Sequence, residues 1–202
     1  MSEFQFRTKN FVSISIAFIL LIMLLPLMIL ISLIIKITSK GPILFSQKRV
    51  GINGKIFNIY KFRTMIIDAE KLKHKLMKHN EADGPVFKIK NDPRMTKFGK
   101  FLRKTGLDEL PQFFNILMGD MDIVGPRPPL ESEVVKYEDW QMKRLSVKPG
   151  VTCLWQVSPN RHKISFDEWV KMDLDYINNW SFKLEFMLMF KTIFVLIRSD
   201  GQ

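Results

Sequence analysis

An uncharged stretch near the start of the chain dominates its pattern of apolar and polar positions. From Phe11 to Ile35, none of 25 consecutive residues carries a charge. A helix of this length can cross the hydrocarbon core of a bilayer, which is about 30 Å thick. A signal peptide fits less well, because the run is longer than its apolar region and no small-residue cleavage site follows it. The pattern predicts a membrane segment at 1–38 and a second domain at 39–202.

Two features argue against a straight crossing by this segment. Cations flank it on both sides, so the positive-inside rule favours both ends in the cytoplasm. Pro26 lies near its centre, where it removes a helix hydrogen bond and bends the axis. A re-entrant hairpin bent at Pro26 satisfies both observations, but proline is also common in spanning helices, so the two topologies stay open. The flanking cations are Arg7, Lys9, Lys36, Lys40, Lys48 and Arg49.

After residue 39 the periodicity alternates between strand and helix, which predicts an α+β domain. Asn53 and Gly54 between two apolar runs predict a β-hairpin. Tyr176 lies at helical spacing from Trp169 and Trp180, in an arrangement typical of either a core face or an interfacial aromatic belt. Further strands are predicted at 121–124 and 151–157, and helices at 68–80, 97–105, 111–119, 166–180 and 181–197, the last of them lying in the membrane interface.

The adjacent acids Asp108 and Glu109 stand where one helix is expected to end and the next to begin. Gly106 can end the first helix and Pro111 suits the first turn of the second, so the acids occupy an irregular bend where both can face one site. Arg103 and Arg127 flank them in sequence. Carboxylates among cations are typical of phosphoryl chemistry. Taken alone, however, the pair more often caps the helix that follows.

The composition indicates the charge of the binding partner but not its chemical class. Lys and Arg number 31 against 20 Asp and Glu, a formal net charge of +11. This excess indicates an anionic partner: nucleic acid, anionic lipid or a phosphorylated substrate. The single cysteine, Cys153, excludes an internal disulfide, and its apolar neighbours favour a core position. His74 and His79 have no acid at ligand spacing and predict no metal site.

Several motifs in fixed order resemble the bacterial sugar transferases, that is, the monotopic polyprenyl-phosphate phosphoglycosyl transferases. The resemblance covers nearly the whole chain from Phe11 onward. The motifs are YKFRTM, DPRMTKFGKFLRKTGLDELPQFFNILMGDM, VGPRP, PGVTCLWQV and SFDEWVKMDLDYINNW. Together they are far more specific than the acid pair alone, so they favour a functional role for the acids over capping.

The resemblance implies the transfer of a sugar 1-phosphate from a UDP-sugar to undecaprenyl phosphate, with release of UMP. Asp108 would attack the β-phosphate and form a covalent aspartyl phosphosugar, and Glu109 would help to hold Mg²⁺. Lys61, Arg103, Arg127 and Arg161 match the phosphate contacts, with Arg63 and Arg94 as further candidates.

The same resemblance implies a membrane segment that is re-entrant and kinked at Pro26. It places the enzyme in the bacterial inner (cytoplasmic) membrane, with the catalytic domain on the cytoplasmic face. Expected partners are the UDP-sugar, undecaprenyl phosphate, membrane lipids and a second copy of the chain, and no nucleic acid. Cys153 replaces a glycine of the family and Pro159, Asn160 and Arg161 alter a loop, which puts a close backbone approach and the register of Arg161 in doubt.

Two rival functions follow from the same residues. In a one-step transferase, Asp108 and Glu109 would only hold metal and no covalent adduct would form. In a non-catalytic membrane tether, the excess of cations would bind anionic lipid or nucleic acid in a salt-sensitive manner. The sequence does not identify the sugar, the glycan pathway or the oligomeric state.

Overall fold

The computed structural model describes residues 3–159, 161 and 163–197. Within this part the chain forms eight α-helices and four short strands. The helices are α1 (Glu3–Thr38), α2 (Ala69–Leu76), α3 (Lys97–Thr105), α4 (Gln112–Leu117), α5 (Glu131–Val134), α6 (Asp139–Met142), α7 (Phe166–Asn178) and α8 (Phe182–Ile197). The strands are β1 (Leu44–Val50), β2 (Ile56–Phe62), β3 (Asp122–Val124) and β4 (Gly150–Thr152). Short 3₁₀ turns lie at Ile52–Gly54, Met77–His79, Leu107–Glu109 and Lys143–Ser146. This mixture of helix and sheet confirms the predicted α+β fold.

Helix α1 runs through Pro26 without a break in its helical assignment. At about 1.5 Å per residue, a straight helix of this length would extend about 54 Å. It is long and apolar enough to cross a membrane, yet one of its faces packs on the rest of the protein along most of its length. That buried face consists of Lys9, Ser13, Ala17, Leu21, Met28, Ile31 and Ile35. The opposite face exposes large apolar side chains, among them Phe11, Phe18, Ile22, Leu25, Ile29, Leu33 and Ile37.

Both ends of α1 are fixed to the domain that follows it. Near the N-terminal end, Lys9 is only 3% exposed, and its Nζ lies 2.9 Å from Asp122 and 3.4 Å from Glu185. Just beyond the C-terminal end, Arg63 donates a hydrogen bond of 3.0 Å to the carbonyl oxygen of Ser39. Lys9, one of the cations that flank the apolar run, is thus buried, and the two carboxylates compensate its ammonium charge.

Strands β1 and β2 form the predicted antiparallel hairpin, with Val50 opposite Ile56. Asn53 and Gly54 both adopt positive φ, at 53° and 80°, as a tight turn at this sequence requires. Phe57, Ile59 and Phe62 of β2 enter the core, so the alternation breaks at the end of the strand, where Lys61 is only partly buried. The strand ends beside the bend that holds the acid pair and places Lys61 there.

Strands β3 and β4 form a parallel pair that is shorter than the sequence indicates. The predicted strand 151–157 ends at Thr152, because β3 offers only three residues to pair with, and the chain then turns so that Trp155 stacks on Trp169 with 4.2 Å between ring centroids. The close backbone approach occurs at Gly150, where a Cβ would lie 2.1 Å from the Gly125 nitrogen. Cys153 is buried nearby without taking part in that approach.

Helices α7 and α8 close the domain against β3, β4 and α1. Tyr176 is 3% exposed and donates a hydrogen bond of 2.9 Å to Glu185. Because Trp169 also packs on Trp155, the aromatic residues of α7 form core rather than an interfacial belt. Helix α8 buries Glu185 and Leu188 on one side. Its other side exposes Phe186, Met187, Phe190, Ile193, Phe194 and Leu196.

Candidate active site

The acid pair lies in the bend that the sequence predicts. Thr96 caps α3 by accepting a hydrogen bond of 2.9 Å from the Gly99 N–H, and Gly106 ends that helix with a φ of 70°. The 3₁₀ turn with Asp108 and Glu109 comes next, and α4 begins after Pro111 without a side-chain cap. The capping role is therefore not observed. Helical spacing predicts that Phe98, Phe101 and Leu102 of α3 face inward; Leu102 is fully buried, but Phe101 is 52% exposed.

Asp108 is a carboxylic acid enclosed by protein and surrounded by charge. It is 5% exposed, and this burial raises its pKa to about 6, because an ionised carboxylate loses hydration inside the protein. Lys61 and Arg103 act in the opposite direction and lower the pKa of Asp108, whereas Glu109 raises it. At neutral pH most Asp108 side chains are therefore ionised, and their hydration shell has largely been removed.

Glu109 follows Asp108 in the same 3₁₀ turn. Its Oε1 accepts a hydrogen bond of 2.5 Å from the Lys61 ammonium, and about 30% of its side chain is exposed. Strand β2 supplies Lys61, so the contact joins the hairpin to the bend. Lys61 of β2 thus comes together with Arg103, Asp108 and Glu109, which lie in the distant segment formed by the end of α3 and the bend.

The proline-rich loop 125–130 holds Arg127 by its carbonyl groups. Three of its residues are prolines, which cannot donate backbone hydrogen bonds. Its successive carbonyl oxygens instead accept hydrogen bonds from four donors: the N–H of Gly150 to Pro126 (3.0 Å), the Arg144 guanidinium to Arg127 (3.3 Å), the Arg49 guanidinium to Pro128 (3.0 Å) and the N–H of Val50 to Pro129 (2.9 Å). The backbone of Arg127 is consequently fixed before any ligand arrives.

A buried ion pair between Arg144 and Asp173 helps to hold this loop. The Arg144 guanidinium lies 2.5 Å from Asp173 of α7, and both side chains are almost completely buried. Burial raises the pKa of Asp173 to about 6 even though Arg144 lowers it, so the pair is ionised at neutral pH. Arg144 also donates a hydrogen bond of 2.9 Å to the Tyr137 hydroxyl. Helix α7 therefore helps to position the main chain at Arg127.

The other predicted phosphate contacts occupy different environments. Arg63 donates to the Lys40 and Ser39 carbonyls at the end of α1. Arg94 is buried, pairs with Asp92 at 2.6 Å and donates to the Ala69 carbonyl. Both have donors engaged in structural contacts. Arg161 donates a hydrogen bond of 2.9 Å to the Gln156 carbonyl, and the neighbouring Asn160 lies outside the described residues.

Sequence reasoning missed one cation of this region. Arg49 lies on β1, and its guanidinium interacts electrostatically with both Arg127 and Glu109. Burial, followed by the charge of Arg127, lowers its pKa to about 10. Its hydrogen bond to the Pro128 carbonyl fixes it at the Arg127 loop, and its charge also acts on Glu109. The only signal in the sequence is the alternation of β1, which does not indicate which strand faces the site.

The carboxylates of this site suit a magnesium ion whose other ligands come from a bound substrate. No group of three or more His, Cys, Asp or Glu side chains gathers at one point within the described ranges. Mg²⁺ is commonly held by one or two carboxylates together with substrate phosphates rather than by a complete protein cage. Glu109, partly exposed and next to Asp108, fits that arrangement. A zinc-type cage of several protein ligands does not fit this part of the chain.

Comparisons with known proteins match this chain to one family and to several of its relatives. The family model described as bacterial sugar transferase matches residues 4–199. The galactosyl transferase CpsE of Streptococcus agalactiae is 52% identical over 80% of this chain and 36% of its own length. The undecaprenyl-phosphate galactose phosphotransferase of Salmonella typhimurium is 42% identical over 99% of this chain and 42% of its own length. The exopolysaccharide production protein ExoY of Sinorhizobium fredii is 38% identical over 96% of this chain and 87% of its own length.

The relatives differ in size. This chain spans only about two fifths of the length of the first two curated relatives named above, but nearly the whole of ExoY. The matched region contains the acid pair, the Arg127 loop and α1.

Proposed function

Because this chain belongs to the bacterial sugar transferase family, we propose that it transfers a sugar 1-phosphate from a UDP-sugar to undecaprenyl phosphate and releases UMP. The product would be undecaprenyl-diphosphate-sugar, the starting point for a surface polysaccharide. One observation carries the proposal: a buried carboxylate, Asp108, stands beside a second carboxylate and next to Lys61 and Arg103. The relatives that transfer phosphosugars to a lipid carrier, by name, support the choice of substrates.

The first step is a displacement at phosphorus. A carboxylate oxygen of Asp108 attacks the β-phosphorus of the UDP-sugar, the bond from this phosphorus to the bridging oxygen breaks, and UMP leaves with that oxygen and its electron pair. The sugar phosphate is then joined to Asp108 as a mixed anhydride. No base is needed, because the nucleophile is already ionised at neutral pH. Loss of hydration through burial makes this carboxylate more available for attack.

The second step regenerates the enzyme. A phosphate oxygen of undecaprenyl phosphate attacks the same phosphorus and expels the Asp108 carboxylate. Lys61, Arg103 and Arg127 would offset the negative charge on the phosphoryl oxygens during both displacements, as cations do in other phosphoryl transfers. A bound Mg²⁺ would add further neutralisation of phosphate charge, with Glu109 as its ligand. Lys61 contacts Glu109 here. To contact the phosphate it would therefore have to turn away from Glu109 when the donor binds.

The way α1 is held supports a proposal for how the protein lies in the membrane. A straight span would carry Lys9 and Ser39 to opposite sides of the bilayer, whereas both ends contact one domain here. This arrangement supports a re-entrant α1, residues 1–38, whose apolar outer face lies in one leaflet beside the exposed side of α8. The catalytic domain, 39–202, would then rest on the cytoplasmic surface, where the lipid phosphate is. Its last residues, 198–202, lie outside the described part.

The covalent route predicts an exchange reaction without any lipid acceptor. Purified protein with Mg²⁺ and a UDP-sugar should incorporate labelled UMP into the UDP-sugar, and EDTA should stop the exchange. A panel of UDP-sugars would identify the sugar. Exchange that requires undecaprenyl phosphate would instead indicate the one-step rival, and salt-sensitive lipid binding without UMP release from any donor would indicate the tether.

The pKa of Asp108 predicts the pH dependence of the first step. Since ionised Asp108 attacks, kcat/KM for the UDP-sugar should fall as pH decreases through about 6, the pKa that burial gives this group. Lys61 lowers that pKa, so Lys61→Met should move the midpoint to higher pH as well as reduce the rate. The diphosphate of the donor does not titrate in this range. A profile that stays flat from pH 5 to 8 would contradict a carboxylate nucleophile with this pKa.

A further inference from the structure

Helix α3 presents a basic face to solvent. Its exposed residues are Lys97, Lys100, Phe101 and Lys104, and their spacing of three, four and seven positions from the first puts them on one side of the helix. The helix contains no acidic residue. Within the described part of the chain, none of these lysines forms an ion pair. These four residues, here named the α3 outer face, therefore combine three uncompensated cations with one aromatic ring.

The opposite side of α3 packs on the membrane segment. Leu102 is fully buried in a core cluster with Met28 and Ile31 of α1, and Phe98 packs against the same cluster. These α1 residues belong to the buried face of that helix, whose other face exposes large apolar side chains. Helix α3 therefore lies directly beside the segment that is proposed to enter the lipid.

Both ends of α3 are held closely by other elements. At the start, the Thr96 N–H donates a hydrogen bond of 3.0 Å to the Thr64 carbonyl, and a Cβ on Gly99 would lie 2.0 Å from the same oxygen. At the end, a Cβ on Gly106 would lie 2.5 Å from Leu196 Cδ2 of α8. Because these contacts leave no space, α3 cannot roll about its axis. Its outer face is thus fixed between α1 and the exposed apolar side of α8.

Phe101 distinguishes this face from an ordinary solvated helix surface. Its ring is 52% exposed and stacks on Phe98, with 5.9 Å between the ring centroids. Exposure of an aromatic ring to water is unfavourable. An exposed ring among lysines is typical of a helix that lies in a membrane interface, where the ring enters the acyl boundary and the lysines extend to the headgroups.

We propose that the α3 outer face binds the headgroups of anionic phospholipids. This inference rests on the proposed function and on its membrane placement. Charge complementarity identifies the occupant, because anionic lipids attract lysines at the membrane surface. The apolar faces of α1 and α8 beside it favour a membrane over a nucleic acid.

Lipid binding at this face positions the nucleophile. Gly106 ends α3, and Asp108 follows it by only two residues. Attachment of α3 to the headgroups therefore sets the height of Asp108 relative to the phosphate of the lipid acceptor. Arg103 is not part of the outer face, since it is partly buried and its charge acts on Asp108. Substitutions on the outer face thus leave the phosphoryl site intact.

Two triple variants, each with three exposed lysines changed to glutamine, form a matched pair with the same net charge. The α3 triple variant carries Lys97→Gln, Lys100→Gln and Lys104→Gln. The control triple variant changes exposed lysines between α5 and α7, a region that packs in a separate core cluster. Its substitutions are Lys136→Gln, Lys143→Gln and Lys171→Gln.

The complete transfer reaction tests the role of the face in nanodiscs of phosphatidylcholine with phosphatidylglycerol. We expect the α3 triple variant to raise the KM for undecaprenyl phosphate by roughly tenfold or more, since each lysine near an anionic surface strengthens attachment about fivefold. The control triple variant should stay near wild type. In nanodiscs of phosphatidylcholine alone, or at high salt, the three proteins should have similar KM values. Acceptor-free UMP exchange should be the same in all three.

Equal KM values for the two triple variants in the anionic nanodiscs would overturn the inference while leaving the proposed function intact. Loss of acceptor-free exchange in the α3 triple variant alone would also overturn it, because the lysines would then belong to the phosphoryl site.

A fluorescent probe tests the contact without requiring activity. Phe101→Cys provides an accessible thiol for an environment-sensitive dye, whereas Cys153 is buried. The dye emission should move to shorter wavelength when phosphatidylglycerol is added to phosphatidylcholine nanodiscs, and should not move in the α3 triple variant. This result would hold even if the wild type had no UMP exchange, which would contradict the proposed function itself.

Three outcomes of the probe experiment would overturn the inference. The first is an emission that phosphatidylglycerol does not change. The second is a response to undecaprenyl phosphate in phosphatidylcholine but not to phosphatidylglycerol, which would assign the face to the acceptor. The third is a response only to a single-stranded DNA oligonucleotide, which would assign it to nucleic acid.

Discussion

Replacing Asp108 with Asn should abolish phosphosugar transfer and make the folded protein more stable. The amide cannot act as a nucleophile at phosphorus, so UMP exchange and complete transfer should both fall by about a thousandfold or more. Since Asn is close in size to Asp and Glu109 is retained, the donor should still bind. Labelled-UMP exchange and titration of a non-reacting UDP-sugar analogue would separate the lost step from binding.

The gain in stability follows from linkage between proton binding and folding. Asp108 has a pKa of about 6 when folded, above the usual value of about 3.9 for an unfolded aspartate. The native state therefore holds the proton more tightly, and ionisation above pH 6 costs stability on the order of 2–3 kcal/mol. Thermal unfolding at pH 7.5 should show a higher melting temperature for Asp108→Asn, and this advantage should disappear as pH falls towards 4.

The matched control is Asp175→Asn, which changes an exposed acid on α7. It should leave exchange, transfer and the melting temperature close to wild type. Full exchange in Asp108→Asn would remove the covalent role of this residue and leave the one-step rival.

Breaking the ion pair between Arg144 and Asp173 should have the largest effect on stability. Arg144→Met leaves the Asp173 carboxyl group without its partner in the interior, and removal of one partner from a buried pair typically costs 3–5 kcal/mol, here taken as roughly 4 kcal/mol where Asp173 is ionised. Loss of Arg144 raises the pKa of Asp173 beyond its present value of about 6, so the destabilisation should increase with pH. Denaturant unfolding at pH 6 and pH 8 would measure both effects.

Two comparisons make this test specific. The double variant Arg144→Met with Asp173→Leu removes both charges and should recover much of the stability, because apolar replacement of a whole buried pair is often neutral. Lys71→Met breaks an exposed pair with Asp68 and should cost little. If Arg144→Met and Lys71→Met have similar stabilities, the buried pair does not support the fold as inferred.

The site can be predicted from sequence where its determinants are local. Gly106 and Pro111 mark the ends of two helices, so the bend containing Asp108 follows from backbone preferences alone. Asn53 and Gly54 mark the hairpin that carries Lys61 in the same way. The assignment of phosphate chemistry, however, depends on the order of several motifs, since the acid pair alone favours helix capping.

Contacts between distant segments could not be read from the pattern. The charge of Arg49 acts on Glu109 only because β1 pairs with β2 beside the bend. The strand after Gly150 ends early for a similar reason, since its length is set by β3. In each case the residue type was visible, but its partner depended on tertiary structure.

The contact that holds Lys9 also constrains how the protein is made. Lys9 donates a hydrogen bond of 2.9 Å to the carbonyl of Val124, 115 residues later in the chain. At ribosomal speeds of about 5–20 residues per second, that partner appears roughly 6–23 s after Lys9 itself. During this interval the nascent apolar helix has emerged without the carboxylates that neutralise its buried ammonium. The packing of this end of α1 therefore has to follow the synthesis of Asp122 and Val124.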